Sequence, residues 1–194
     1  MTPSDHASTR VEAPPQDLDE RTGRLLAKLP QGAGGPLNLM AAIIHNPDAI
    51  RAWGRFTASL FDGTLGGRER ELLILRTAWN VQSSYEWGNH VELGLRAGLT
   101  PAEIRALTEP PAATAWSESD ALLLAIADEL HVDGEIGEAT WEAGVRARSV
   151  SELIEIVFVV GVYHVVRTLV GSLGVADEPG KPGLGEVTVV DDRG

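Results

Sequence analysis

Apolar residues recur along most of this chain at helical spacing, in segments of helical length that are separated by Gly, Pro and Ser. The segments predict α-helices over Leu18–Leu29, Leu37–Ile44, Pro47–Phe61, Glu69–Val81, a stretch from Ser83 or Ser84 to Gly98, Thr100–Leu107, Ser117–Leu130, Gly137–Arg148 and a long final helix starting at Ser149. Strand-like alternation does not survive between the turn signals, except over residues 187–190, which can add a strand or pack on a neighbour. The pattern predicts an all-α fold, a helical bundle.

Two of the predicted helices are apolar on more than one face. The consecutive residues 72–75 in the helix Glu69–Val81 are all Leu or Ile, which indicates packing at the centre of the fold. The run from Leu153 to Val170 approaches the length of a membrane span, but it contains Glu155, His164 and Arg167, and ionisable groups are costly in lipid. We predict that this run is a buried core helix.

The two ends of the chain differ in composition from its middle. Residues 1–17 contain three prolines and few large apolar side chains, which predicts a flexible N-terminal arm. Residues 177–194 begin with a stretch rich in Pro and Gly, which predicts a C-terminal tail. A single helical domain is expected between them, over residues 18–176.

Charge and cysteine content narrow the classes of function. The net charge of −12 over 194 residues disfavours nucleic acid and anionic membrane surfaces as partners. The absence of cysteine excludes disulfides, thiolate metal sites and thiol redox chemistry. The N-terminus lacks the basic start and apolar core of a secretory signal, so we expect a cytoplasmic protein.

Three groups able to transfer protons lie on two adjoining predicted helices. Glu86 and His90 are four residues apart and therefore project from the same face of one helix, while Glu71 arrives from the helix before it. Nearby aromatic residues, Tyr85 and Trp87 among them, are expected to desolvate the carboxylates, raise their pKa values and keep one of them protonated as a general acid. The alternative interpretation is an ordinary helix ion pair beside aromatic core residues.

Two further residues are candidates for substrate binding, each with a structural alternative. Arg76 can hold a substrate carboxylate through two hydrogen bonds, although an arginine next to glutamates more often forms an internal salt bridge. His131 can approach the site from a separate helix, although a histidine at a helix C-terminus also interacts favourably with the last carbonyls. His164 and its neighbour Tyr163 are interpreted as a buried pair within the core.

The segment Arg68–Leu107 resembles the carboxymuconolactone decarboxylase and alkylhydroperoxidase D superfamily, and the stretch from Asp128 to Gly174 resembles the rest of that domain. The peroxidase branch has a Glu twelve positions before a Cys-x-x-Cys-x-x-x-His motif. By spacing, these positions correspond to Glu71, Ser83, Glu86 and His90, so both thiols are absent here. The chain is similar instead to a cysteine-free subgroup with a Tyr-Glu-Trp-x-x-His motif, which implies an all-helical bundle that assembles into homo-oligomers, trimers or hexamers.

The resemblance and the missing thiols together indicate acid/base chemistry rather than cysteine peroxidase chemistry. We expect a cofactor-free, carboxy-lyase-like enzyme or isomerase acting on a small lactone or conjugated carbonyl compound. The expected catalytic residues are Glu71, Glu86 and His90, with His90 as proton donor or base, Glu86 orienting it and Glu71 as a second acid/base group. The expected substrate-binding residues are Tyr85, Arg76, Ser83, Trp87 and His131.

Three alternatives stay open on the sequence alone. Glu71, Glu86, His90 and His131 supply oxygen and nitrogen ligands for a divalent metal, but no two-histidine metal motif is present, so we expect no metal. A non-catalytic oligomer that binds a small molecule is the alternative from another functional class. A thiol-free peroxidase is a third.

Overall fold

The computed structural model describes residues 10–32, 34–111 and 116–187, which form nine α-helices and one short hairpin. The helices are α1 (Glu20–Leu26), α2 (Asn38–Ile43), α3 (Pro47–Phe61), α4 (Gly67–Asn80), α5 (Ser84–Arg96), α6 (Pro101–Ala106), α7 (Glu118–Val132), α8 (Glu138–Ala147) and α9 (Val150–Leu173). Each was predicted from the sequence, and α3 has the predicted bounds. The prediction of a mainly helical fold is confirmed.

Side-chain caps explain why most of the predicted helix starts are accurate. The side chains of Asn46, Ser83, Thr100, Ser117 and Ser149 each accept a hydrogen bond from a backbone N–H in the first turn of the following helix. These bonds satisfy donors that a helix start otherwise leaves unpaired. The long helix α9 ends at Gly174, which has the left-handed backbone conformation that glycine adopts without strain.

Helix α4 lies at the centre of the fold, where it contacts α5, α7 and α9. All residues from Glu71 to Ala78 are buried, including the apolar run 72–75. A helix that is buried on every side must bring its polar residues into the interior as well. This is how Glu71 and Arg76 come to be buried.

Helix α9 is long and apolar enough to cross a membrane by length and composition. It packs instead against α3, α4, α7 and α8, as predicted for a core helix. Its buried Glu155 accepts hydrogen bonds from the backbone N–H groups of Thr64 and Leu65 and from the hydroxyl of Thr64, which fixes the turn before α4. The cytoplasmic location, and the absence of membrane and nucleic-acid partners, stay predictions.

A two-stranded antiparallel hairpin between α1 and α2 was not predicted. Its strands, β1 (Gln31–Gly32) and β2 (Gly35–Pro36), are only two residues long, so they contain no alternation that sequence analysis can detect. Gly35 has a φ of +134°, which L side chains rarely adopt. The hairpin forms part of the wall of the cavity described below.

Residues 177–187 pack along α5 rather than extending from the domain. The indole N–H of Trp87 donates to the carbonyl of Glu186 at 2.8 Å, and Lys181 pairs with Glu92 at 3.1 Å. A Cβ at Gly88 would lie 2.7 Å from the carbonyl oxygen of Pro182, so this close approach requires glycine. Residues 177–187, hereafter the C-terminal strap, therefore belong to the folded body, while residues 188–194 lie outside the described part of the chain.

Part of the predicted N-terminal arm also contacts the domain. The backbone N–H of Arg10 donates to the carbonyl of Leu173 at 3.0 Å, and the His45 ring contacts the carbonyl of Glu12 at 2.8 Å. Residues 10–17 are thus held against the domain at two points. Residues 1–9 lie outside the described part of the chain.

Candidate active site

The three predicted proton-transfer residues are brought together by the tight connection between α4 and α5. The turn contains Gln82, whose φ of 54° reverses the chain, and Ser83 then caps α5 by accepting a hydrogen bond from the N–H of Glu86. The two helices pack side by side, so Glu71 on α4 faces His90 on α5. All three side chains are buried, with relative exposures of 6% for Glu71, 5% for Glu86 and 7% for His90.

His90 is held through both ring nitrogens. Its Nδ1 lies 2.8 Å from Oε2 of Glu71, while its Nε2 lies 3.5 Å from Oε2 of Glu86 and 3.1 Å from the hydroxyl oxygen of Tyr163. The contact to Glu71 is the shorter of the two carboxylate contacts, so Glu71 orients the ring more strongly than Glu86 does. This arrangement differs from the sequence-based expectation that Glu86 orients the imidazole.

Tyr163 is a site residue that the sequence analysis missed. It comes from α9, its ring meets that of His90 edge to face with centroids 5.1 Å apart, and it is 8% exposed. The signal that can find it is the helical spacing of α9, because Ile156, Val159 and Tyr163 fall on one buried face. His164, one residue further along, falls on the other side of the helix and pairs with His131 at 3.3 Å.

The two carboxylates determine the charge of His90. Burial by itself lowers the pKa of His90, but the hydrogen bonds and negative charges of Glu71 and Glu86 outweigh it and raise the pKa from 6.5 to about 9. At neutral pH the ring is therefore an imidazolium, and both of its N–H groups donate. Burial, reinforced by the charges of Glu86 and Glu71, raises the pKa of Tyr163 well above its usual value, so this phenol stays neutral.

Glu86, His90 and Tyr163 line a cavity of about 880 Å³ between α2, α3, α5, α9, the hairpin and the strap. Glu71 is not among the lining residues; it lies behind the imidazole. Most of the wall is apolar, with side chains such as Leu39, Met40, Trp53, Leu60, Phe61 and Val162. The cavity therefore offers a proton donor and a carboxylate to a molecule in a largely apolar setting.

Tyr85 also lines the cavity, and its role in substrate binding stays a prediction. Its hydroxyl donates to Glu178 of the strap at 2.8 Å and accepts from the backbone N–H of Leu39 at 3.1 Å. Glu178 in turn accepts from the N–H of Asn38 at 2.5 Å. Tyr85 thus joins the strap and the start of α2 across one side of the cavity.

The other predicted substrate-binding residues lie elsewhere. Arg76 forms an ion pair with Asp128, Ser83 is occupied in capping α5, Trp87 is fully buried in the core, and His131 is exposed and contacts His164. None of the four lines the cavity. For Arg76 the alternative of an internal salt bridge is therefore the correct one, because both carboxylate oxygens of Asp128 are within hydrogen-bonding distance of its guanidinium.

Within the described ranges, no group of three or more His, Asp or Glu side chains has the arrangement of a metal site. The ring nitrogens of His90 are both engaged, one with Glu71 and the other with Tyr163 and Glu86. The expectation that the protein binds no metal stays a prediction.

The model of the carboxymuconolactone decarboxylase family matches residues 47–129, which include α4, α5 and all of the predicted catalytic residues. Over these residues the chain is similar to this family. Its lack of cysteine agrees with the cysteine-free subgroup that the sequence resembles. A comparison with curated proteins found no match.

Solved structures of the same fold extend over nearly the whole chain. A peroxidase-related protein from Silicibacter sp. TM1040 has a TM-score of 0.74 and 16% identity, covering 96% of this chain and 99% of its own. A second peroxidase-related protein with an alkylhydroperoxidase AhpD core, from Ralstonia eutropha JMP134, has a TM-score of 0.70 and 18% identity, covering 90% and 95%. The debrominase Bmp8, crystallised as a cysteine-to-alanine variant with 2,3,4-tribromopyrrole, has a TM-score of 0.65 and 14% identity, covering 82% and 85%. These identities establish the fold alone.

The two residues at the cysteine positions of the peroxidase motif have different surroundings in this structure. Of the two positions that correspond to cysteines in the peroxidase pattern, Ser83 is used in a helix cap, whereas Glu86 faces the cavity. The carboxylate of Glu86 therefore lines the cavity at the position of the second cysteine of that pattern. A carboxylate accepts and releases protons but does not perform the redox cycle of a thiolate.

Proposed function

We propose that this protein, which is similar to the carboxymuconolactone decarboxylase family, is a cofactor-free lyase or isomerase that transfers protons on a lactone or conjugated carbonyl compound. The observation that carries the proposal is a buried imidazolium, fixed by Glu71, whose Nε2 faces a cavity beside a second carboxylate. A buried charged acid and a buried base in one cavity are the components of proton-transfer catalysis.

The geometry favours a division of roles that differs from the sequence-based one. Glu71 positions and charges His90 from behind, and Glu86 is the base because it lines the cavity and lies 3.5 Å from the ring. His90 is the acid, since it carries a proton at neutral pH. The hydroxyl of Tyr163, 3.1 Å from Nε2, is placed to pass that proton or to stabilise a substrate oxyanion.

These groups account for every proton and electron pair that moves in either candidate reaction. In an isomerisation, Glu86 removes a proton from the carbon next to a carbonyl, the enolate oxygen receives a hydrogen bond from His90 or Tyr163, and the proton returns at a different carbon. In a decarboxylation, the bond to the carboxylate carbon breaks, its electron pair passes into the conjugated carbonyl, carbon dioxide leaves, and His90 protonates the resulting dienolate at carbon. Neither reaction requires an electron donor or acceptor.

Exchange of carbon-bound hydrogen in deuterated water tests the proposal across a panel of candidate substrates. The protein is incubated with lactone carboxylates and β,γ-unsaturated keto acids, and NMR follows deuterium incorporation and loss of carbon dioxide. We expect Glu86→Gln to reduce the exchange rate by at least about 100-fold, because general-base catalysis contributes on the order of 100- to 10,000-fold. The control is Glu142→Gln, at an exposed glutamate paired with Arg146.

Exchange that survives Glu86→Gln would overturn the assignment of the base. Absence of exchange for the whole panel, together with tight binding of its members, would favour the non-catalytic binding module. Consumption of hydrogen peroxide by the pure protein would favour a thiol-free peroxidase.

We also propose that the chain forms a homo-oligomer through the outer face of α9. Val150, Ile154, Val157, Phe158 and Val165 are exposed on this helix, at relative exposures from 37% to 54%. Their helical spacing makes a continuous apolar stripe, which a monomer rarely leaves in water.

Light scattering coupled to size-exclusion chromatography tests this assembly. The double variant Ile154→Asp/Val165→Asp is expected to shift the wild-type oligomer to monomer, because it places two charges within the stripe. Val145→Asp is the matched control, since Val145 is 42% exposed on α8 rather than on α9. A wild-type mass of a single chain would contradict the proposal.

A further inference from the structure

The cavity is much larger than a small lactone requires. Its volume is about 880 Å³, within the range that encloses drug-sized ligands. The wall away from Glu86 and His90 consists mainly of aliphatic and aromatic side chains contributed by α2, α3 and α9. A molecule that fills this space must carry an extended apolar body, because small polar compounds would leave the wall in contact with trapped water.

Arg70 is a cationic residue in the wall of this cavity. It lies in the first turns of α4, lines the cavity, and stacks over the Phe61 ring with its guanidinium carbon 5.0 Å from the ring centroid. One Nη donates to the carbonyl of Leu65 at 2.9 Å. Its position is therefore fixed by a neutral carbonyl and an aromatic ring, and not by a carboxylate.

The recorded hydrogen bond of the Arg70 guanidinium is the one to Leu65, and its charge lowers the pKa of the buried Glu155. The Nε of Arg70 is buried and has no hydrogen-bond partner among the described residues, and no described carboxylate lies within ion-pairing distance of it. Nearby arginines behave differently: Arg68 pairs with Glu103 and Asp120, and Arg76 pairs with Asp128. Arg70 is half-buried and lines the cavity, so the accessible part of its guanidinium can pair with an anion bound there, whereas the buried Nε is not accessible to a ligand.

Lys181 is the other lysine or arginine among the lining residues, and it is already paired with Glu92. The charge of Arg70 also reaches the catalytic end of the cavity, since it opposes the rise in the pKa of Tyr163 that burial, Glu86 and Glu71 produce. An anion bound at Arg70 therefore lies in the same cavity as the proposed acid and base, with the apolar wall around it.

We propose that the cavity binds an amphipathic organic carboxylate, with the carboxylate on Arg70 and an extended aliphatic or aromatic body against the apolar wall. The assignment of this molecule class as the substrate rests on the proposed function, whereas binding at Arg70 does not. The carboxylate is an anchoring group that remains bound while proton transfer takes place at another carbon, beside Glu86 and His90.

Isothermal titration calorimetry with a matched set of unreactive ligands tests the anchor. Decanoate, decanamide and acetate separate the carboxylate from the apolar body, since decanamide keeps the chain without the charge and acetate keeps the charge without the chain. We expect the wild-type protein to bind decanoate at least about tenfold more tightly than decanamide, and acetate more weakly than either, because a charge-assisted hydrogen bond to the half-buried guanidinium is worth about a tenfold change.

Variants of Arg70 and Arg55 test whether Arg70 causes the preference for decanoate over decanamide. Arg70→Gln is expected to bind decanoate and decanamide equally, and its unchanged affinity for decanamide shows that the cavity is intact. Arg55→Gln is the matched control, an exposed arginine of α3 that does not line the cavity, and it keeps the wild-type preference. If Arg70→Gln does not fold, the comparison of decanoate with decanamide on the wild-type protein and on Arg70→Lys still decides the matter.

Equal binding of decanoate and decanamide by the wild-type protein would overturn the inference, and so would a preference that Arg70→Gln retains. His90→Gln separates this inference from the proposed function, because it removes the proposed acid and leaves Arg70 in place. If His90→Gln still prefers the carboxylate and neither it nor the wild-type protein transfers protons, the anchor at Arg70 is kept and the catalytic proposal is rejected. If the wild-type protein transfers protons but does not prefer the carboxylate, the catalytic proposal is kept and the anchor at Arg70 is rejected.

Discussion

Replacing His90 with alanine is expected to abolish proton transfer and to lower the free energy of unfolding by about 3–5 kcal/mol. The change removes the imidazolium that faces the cavity and, with it, the 2.8 Å partner of Glu71. Glu71 is 6% exposed, so its carboxylate would remain in the interior without a compensating charge. Chemical denaturation followed by circular dichroism measures the loss of stability, and the deuterium-exchange assay measures the loss of activity.

His90→Gln is the matched control for the electrostatic part of this effect. Glutamine keeps a hydrogen-bond donor within reach of Glu71 but carries no charge, so we expect a smaller loss of stability than for alanine and an equal loss of activity. The native helical spectrum should persist in both variants at room temperature, because a domain stability of about 5–15 kcal/mol exceeds the loss. An alanine variant as stable as the wild type would show that Glu71 and His90 are not coupled.

The pH dependence of stability in the wild type and in His90→Gln provides a further test. The pKa of His90 is raised from 6.5 to about 9, so the folded protein holds a proton that the unfolded chain releases between these values. The stabilisation is complete below about pH 6.5 and is lost as the pH rises through about 9. The difference in unfolding free energy between the wild type and His90→Gln should therefore shrink over this range. Activity should also fall near pH 9, since the proposed acid is then deprotonated.

Helices could be predicted from this sequence because their signals are local. Capping residues such as Ser117 and Ser149 and the proline at position 47 mark where helices begin, and the spacing of apolar residues marks how far they extend. The hairpin and the C-terminal strap depend on contacts between distant residues. The strap packs on α5 through Glu178, Lys181 and Glu186, and the sequence around these residues is typical of a loop.

The candidate site could be predicted only in part for the same reason. Glu86 and His90 share one helix face by their spacing, and the family motif connects them with Glu71. The spacing within α9 puts Tyr163 on a buried face, but its contact with His90, and the position of Arg70 in the cavity wall, depend on how α9 and α4 pack. Arg76 was predicted to bind a substrate carboxylate, but in the structure its guanidinium pairs with the carboxylate of Asp128 inside the protein.

The structural role of Arg76 leads to the second large effect, a loss of about 3–5 kcal/mol of unfolding free energy in Arg76→Ala. The guanidinium donates to both carboxylate oxygens of Asp128, at 2.6 and 2.7 Å, and to the carbonyls of Leu107 and Glu109, at 2.6 and 2.8 Å. It therefore connects α4 to α7 and to the end of α6. Alanine would leave a carboxylate and two carbonyls without their main partner, and urea denaturation measures the cost.

Two variants separate this role from substrate binding. Arg96→Ala removes an exposed ion pair with Glu92 and should cost less than about 1 kcal/mol. Arg76→Lys keeps the charge but cannot reproduce the forked geometry, so we expect a stability between those of the wild type and Arg76→Ala. Because Arg76 does not line the cavity, the affinity of folded Arg76→Lys for decanoate should equal that of the wild type. A weakened affinity with unchanged stability would return Arg76 to the substrate site, and it would require the α4–α7 contact to open when the ligand binds.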